Sequence, residues 1–173
     1  GKQSAPFTLH GSTSSKKLYT LERGKVASNI WFSSEYYSGL TVSGKKGSWE
    51  YFTGVYSSDR GPEFDEAFDY GSFGLFSLGY NFKESLQMDN ALVRFDYVKQ
   101  QEDASNPSNQ PDHKNITSLV TKFEKDNLHL WADLSISDGY GSQSDLFGLQ
   151  LMPFYDITDK TQAVFSYTYL KSS

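Results

Sequence analysis

The sequence predicts an all-β chain, an antiparallel meander of a transmembrane outer-membrane β-barrel. Three observations predict it. Apolar residues recur at every second position, and no stretch follows the helical period. Connections between the resulting strands alternate between short and long. The better-defined apolar faces carry Tyr and Phe, with Tyr36, Tyr51, Tyr155 and Tyr169 near strand ends, where an aromatic girdle would lie.

The first strand is expected at Tyr36–Ser43 and the second at Ser48–Ser57, around the tight turn GKKG (Gly44–Gly47). The long SDRGPEFDEAFD (Ser58–Asp69) leads to a third at Ser72–Phe82. After the short KESLQM (Lys83–Met88), ALVRFDYV sets Ala91, Val93, Phe95 and Tyr97 against Leu92, Arg94, Asp96 and Val98. A long run with Pro107 and Pro111, Gln100–Lys114, precedes a strand at Ile116–Phe123, and the short KDN (Lys125–Asn127) follows it. LHLWADLSIS then places Leu128, Leu130, Ala132, Leu134 and Ile136 opposite His129, Trp131, Asp133, Ser135 and Ser137. The medium DGYGSQS (Asp138–Ser144), a strand at Leu146–Tyr155, the short DITDK (Asp156–Lys160) and AVFSYTYL (Ala163–Leu170) complete the series.

About eight strands of roughly 8 to 11 residues result, the length a tilted strand needs to cross a bilayer. Alternate connections of a meander share an end, so tight turns gather at one end and loops at the other, as in outer-membrane barrels. Residues 1–34 enter the first strand from the loop side and are expected as a long, Ser/Thr-rich, basic extracellular loop; residues 35–173 hold the strands.

Composition excludes several classes. At 173 residues the chain is long enough for a real core. A mean hydropathy of -0.56, with no run approaching about 18 apolar residues, excludes a membrane-spanning helix. It does not exclude a transmembrane barrel, whose apolar residues are hidden in alternation. Absence of Cys removes disulfides, thiolate catalysis and zinc-thiolate sites. A net charge of -5 argues against a nucleic-acid partner.

The run GKQSAPFTLHGSTSSKKLYTLERG resembles the mid-barrel segment of the phosphate-selective porin O and P family. Gly1, Lys2, Pro6, Phe7, Leu9, Thr13, Ser14, Ser15, Glu22 and Arg23 match that pattern in type and order, and WEYFTGVYSSD (Trp49–Asp59) and LFGLQLMPFYDITDKTQAVFSYTYL (Leu146–Leu170) look like its later strands. The resemblance implies a barrel of roughly sixteen strands around an aqueous lumen. It also implies homotrimers of identical subunits, a loop folded inward to narrow the pore, which here is part of residues 1–34, and contact with outer-membrane lipid and lipopolysaccharide. With about half the strands, the chain is expected to be incomplete, with strands missing on both sides.

The function so implied is passive diffusion of small hydrophilic solutes, anions such as phosphate among them, with no cofactor and no catalysis. Arg23, in the Glu-Arg pair, is the first candidate for an anion-binding constriction; Lys16, Lys17 and Lys25 are the second. Alternation points Arg94, Asp96, Lys122, Glu50 and Asp133 into the lumen, a mixed set in which Arg94 and Asp96 stand close enough to pair. The small Gly39, Thr41, Gly148, Ser166 and Thr168 favour an open lumen.

Other features carry bland readings. The acidic Ser58–Asp69 reads as a solvated loop before a calcium site, and Asn115 in NIT as a frequent motif of little weight. His10, His113 and His129 are isolated in sequence, and no nucleophile elbow, phosphate loop or metal-spaced His pair occurs. The pattern leaves two alternatives open: a small complete eight-stranded barrel with a structural or adhesion role, and a soluble β-barrel binding module.

Overall fold

The computed structural model describes residues 2–9, 12–13, 25–30, 36–57, 71–101, 113–139 and 143–173. The chain is all-β. Its strands are β1 (Lys2–Ser4), β2 (Tyr36–Lys46), β3 (Trp49–Ser57), β4 (Ser72–Asn81), β5 (Asn90–Gln100), β6 (His113–Lys125), β7 (Leu128–Gly139), β8 (Leu146–Thr158), β9 (Thr161–Val164) and β10 (Tyr167–Ser172). They form one antiparallel sheet in meander order, β1 to β8 and then β10, with β9 also on β8. Two short helices, α1 (Lys25–Ile30) and α2 (Lys83–Leu86), lie in segments expected as loop and turn. Neither is long enough to display a helical period.

The eight expected strands are present, and β1 is an addition inside residues 1–34. AVFSYTYL appears as two pieces for a local reason. Phe165 N–H donates to the Pro153 carbonyl at 3.0 Å. Pro153 has no N–H to return, so the ladder lacks one bond there and β9 and β10 separate although their register on β8 is continuous.

The short connections are braced. Gly47, at φ 59°, occupies the left-handed region that the two-residue β2–β3 turn requires, and Asp126 does so at φ 51° between β6 and β7. Asp126 N–H donates to Asp89 Oδ2 at 2.8 Å, and Asp89 N–H donates to the Glu124 carbonyl at 3.0 Å, tying neighbouring turns together.

Register shows a stagger. The row Tyr51, Leu78, Phe95, Leu119, Leu134, Leu149, Tyr169 begins beside the β2–β3 turn and ends beside the loop end of β8. Strands therefore slip steadily along their neighbours, as those of a tilted barrel wall must.

The two faces differ sharply. The outer face is apolar and exposed: Leu40 78%, Ile157 57%, Val42 56%, Val55 55% and Ile136 52%. The inner face carries the buried residues, polar ones included. Across it, Ala5 and Phe7 from the leading segment and Val26 and Ile30 from α1 pack with Tyr37, Tyr56, Phe73, Leu75, Val98, Ile116 and Leu146. Tyr56 and Phe73 stack at 4.9 Å, and Tyr37 meets Phe73 edge-on at 5.0 Å.

This packing changes the meaning of one small residue. Gly148 does not leave open space; a Cβ there would stand 2.9 Å from Val26 Cγ1 and 3.2 Å from Ile30 Cδ1. Its missing side chain lets α1 lie against β8. Gly148→Val is expected to destabilise the fold by about 1–3 kcal/mol, measured as a lowered urea midpoint in detergent micelles. Pro153→Ala is expected to supply the missing ladder bond, seen as a new amide at position 153 that exchanges more slowly than an unstructured alanine.

Candidate functional site

Cross-strand register assembles two polar rows on the inner face. One runs Ser43, Phe52, Ser77, Asp96, Ser118, Ser135; the other runs Lys45, Glu50, Gly79, Arg94, Val120, Asp133, Gln150. Alternation alone puts these side chains on one side. The leading segment then lies across them.

Two carboxylates hold that segment. Thr8 N–H donates to Asp96 Oδ2 at 3.2 Å, and Leu9 N–H donates to Asp133 Oδ2 at 2.7 Å. Arg94 grips Asp96 in bidentate fashion, Nε to Oδ1 and Nη2 to Oδ2, each at 2.8 Å. The same Nη2 donates to the Thr8 carbonyl at 3.1 Å and to Ser12 Oγ at 2.9 Å. Ser77 donates to Asp96 Oδ1, while Ser118 and Ser135 donate to Asp133 Oδ1 at 2.7 and 2.6 Å. Asp96 thus shares a cation with the segment, whereas the donors found on Asp133 are neutral.

The segment turns where it is gripped. Thr8 has φ 59°, a left-handed conformation that a β-branched residue adopts at a cost of about 1–2 kcal/mol. Ser12 Oγ donates to the Thr8 carbonyl at 2.6 Å and Thr13 Oγ1 to the Leu9 carbonyl at 2.6 Å, closing the turn. Leu9, fully buried, packs with Val120, Trp131, Met152 and Phe154 below the polar rows.

Toward the short turns lies a second set of inner-face groups. Lys122 Nζ stands 4.2 Å from the centroid of the Trp131 ring, whose Nε1 donates to Glu124 Oε1 at 2.8 Å. His129 stacks on Phe154 with centroids 4.4 Å apart and pairs with Asp156 Oδ2 at 2.9 Å. His129 shares the face of Asp133 but bonds elsewhere.

Beside Pro6, an open cavity of about 250 Å³ is lined by Ser43, Lys45, Glu50, Phe52, Ser77 and Arg94 among others. Lys45 and Glu50 pair across strands at 3.0 Å. Glu50 lies over Gly79, where a Cβ would stand 2.8 Å from Glu50 Cγ.

Of the residues expected to face a lumen, Arg94, Asp96, Lys122, Glu50 and Asp133 all lie on the inner face. Asp96 and Asp133 do not face open space, however: they are 0% and 1% exposed because the leading segment covers them. The expected Arg94–Asp96 pair is formed. Lys16, Lys17 and Arg23 lie outside the described residues, as do His10, the acidic run up to residue 70 and residues 102–112; Lys25 opens α1, and its side chain lies outside them too. Asn115 is engaged within the sheet, accepting from Tyr97 Oη at 2.9 Å and donating to Asp138 Oδ2 at 3.0 Å. Among the described residues no group of three or more His, Asp or Glu side chains is placed to hold a metal ion.

Thr8, Leu9, Ser12, Ser118, Ser135 and Lys45 were not foreseen as site residues. Alternation assigns a face but not a partner, and the only hint was Phe7 and Leu9, apolar at a two-residue spacing in an otherwise polar run.

No protein-family model matches the chain, and no match to it is found among curated proteins or solved structures.

Asp133→Asn replaces the carboxylate that accepts from Leu9 N–H with a weaker amide acceptor. Amide exchange at Leu9 is expected to accelerate at least about tenfold, with the β4–β6 amides unchanged.

Proposed function

We propose that this chain is part of the wall of an outer-membrane porin that gives passive diffusion of small hydrophilic solutes. The observation that carries the reading is the inverted polarity of the sheet. Large apolar side chains cover the exposed face, while Asp96, Asp133, Gln150, Ser118 and Ser135 are buried on the other. A sheet that met water on its outer face would place charge there; one that meets hydrocarbon places Leu, Val, Ile and Phe there. Soluble proteins rarely expose contiguous apolar patches beyond a few hundred Å². Aromatic residues toward the short turns, with Trp49 against Tyr80 at 4.8 Å and Tyr155 half exposed, suit a membrane interface. Among the described residues no helix is long and apolar enough to cross a membrane, which leaves crossing by strands open.

In this reading the Ala5–Thr13 segment and α1 narrow the passage, and identical subunits, lipid and lipopolysaccharide meet the outer face. Among the described residues, from the polar rows to the short turns, the carboxylates Glu50, Asp96, Asp133, Glu124 and Asp156 outnumber the cations Lys45, Arg94 and Lys122. That balance supports general hydrophilic diffusion. Any preference for anions such as phosphate would rest on Arg23, Lys16, Lys17 and Lys25.

A second reading has its own support. The apolar cluster of Phe7, Val26 and Ile30 on the inner face is what a small, filled barrel with a structural or adhesion role would contain. Planar-bilayer recording separates the two. A porin is expected to give stepwise conductance, with a reversal potential across a salt gradient that reports selectivity. Removing residues 5–13 is expected to raise the conductance of each step by about twofold or more, as a pore widens when its constriction is withdrawn. Absence of steps from folded protein favours the filled barrel.

A further inference from the structure

Among the described residues, the cavity beside Pro6 is one place on the inner face where charge remains open to a solute. Arg94 and Asp96 are closed on one another and on the segment, and Asp133 is covered. Lys45 and Glu50 differ. Their side chains are 78% and 26% exposed, they come from adjacent positions on β2 and β3, and both line the cavity. An exposed pair of this kind holds weakly, so a ligand that offers both charges can open it at little cost.

We propose that this cavity is a binding subsite for small zwitterions, solutes with an ammonium and a carboxylate on the same carbon. Such a solute carries its two charges about as close together as Lys45 Nζ and Glu50 Oε2, which are 3.0 Å apart. Its carboxylate takes Lys45 and its ammonium takes Glu50, so neither protein charge loses its partner. A simple anion would leave Glu50 against like charge, and a simple cation would do the same to Lys45. Ser43 adds a hydroxyl, and Pro6 and Phe52 give a small hydrocarbon side chain an apolar surface. The cavity, about 250 Å³, suits a solute of a few heavy atoms. Pro6 belongs to the carboxylate-held segment, so the subsite exists only while that segment is docked.

The inference rests on the porin reading for its role in transport but not for binding, and two measurements keep them apart. L-alanine, acetate, methylammonium and propionamide are titrated into the protein refolded in detergent micelles, followed by amide shifts at Ser43, Lys45 and Glu50. L-alanine is expected to shift these amides with saturation, and the three singly charged or neutral probes to require at least about tenfold higher concentration. Glu50→Gln and Lys45→Met are each expected to weaken L-alanine by about tenfold while the Phe7 and Val120 amides stay in place, which shows the fold intact. Equal shifts from all four probes, or an unchanged L-alanine titration in both variants, overturn the subsite. Swelling of proteoliposomes in L-alanine and in an uncharged sugar then tests transport. Saturable binding without swelling leaves the subsite standing and overturns the pore; swelling without saturable binding does the reverse.

Discussion

The inner face depends on two aspartates that reach the backbone of a segment far away in sequence. Asp96 and Asp133 sit on β5 and β7, separated by β6, and take the consecutive N–H groups of Thr8 and Leu9. Buried carboxylates are costly without donors, and buried N–H groups are costly without acceptors; the docking satisfies both at once. Everything else on that face follows. Phe7 enters one apolar cluster, Leu9 enters the other, and Pro6 walls the cavity.

The two carboxylates are not equivalent. Asp96 is clamped by a guanidinium that also binds the Thr8 carbonyl, so wall and segment share one charge-assisted network. Asp133 is held by two serine hydroxyls and the Leu9 N–H. Loss of Arg94 would leave Asp96 with an uncompensated charge, whereas Asp133 already lacks a cation among its described partners. Serines at positions 77, 118 and 135 are therefore more than small polar filler: each supplies a donor to a carboxylate oxygen held out of bulk water.

Much of the wall was legible in the sequence. Period-two alternation from Leu128 to Ser137 assigned every one of those side chains to the face it occupies, because a strand has only two faces and a slip would invert them all. The order of short and long connections gave the meander. Legibility ended where a contact depends on residues far apart. Gly148 looked like open space because its partner, α1, is more than a hundred residues upstream. Asp96 and Asp133 looked lumenal because nothing local announces a covering segment. The break at Phe165 is written in Pro153, one strand away, and only register connects them. In the candidate site, the wall residues were foreseeable from alternation and an inward-folded loop was expected from the resemblance, but which residues of that loop meet which carboxylates was not.

The hydrogen bond from Leu9 to Asp133 joins positions 124 residues apart. Contacts of such long sequence separation form only after the intervening loop has been closed, so they belong to the end of assembly. Thr8 and Leu9, which precede the wall in sequence, are thus among the last of these residues to find their place, and the β5–β7 wall must stand before they have anything to bind. Until then Phe7 and Leu9 travel uncovered, and the wall carries two unmet carboxylates. Assembly of this protein has a direction set by that one pair of acids: the wall first, the segment afterwards.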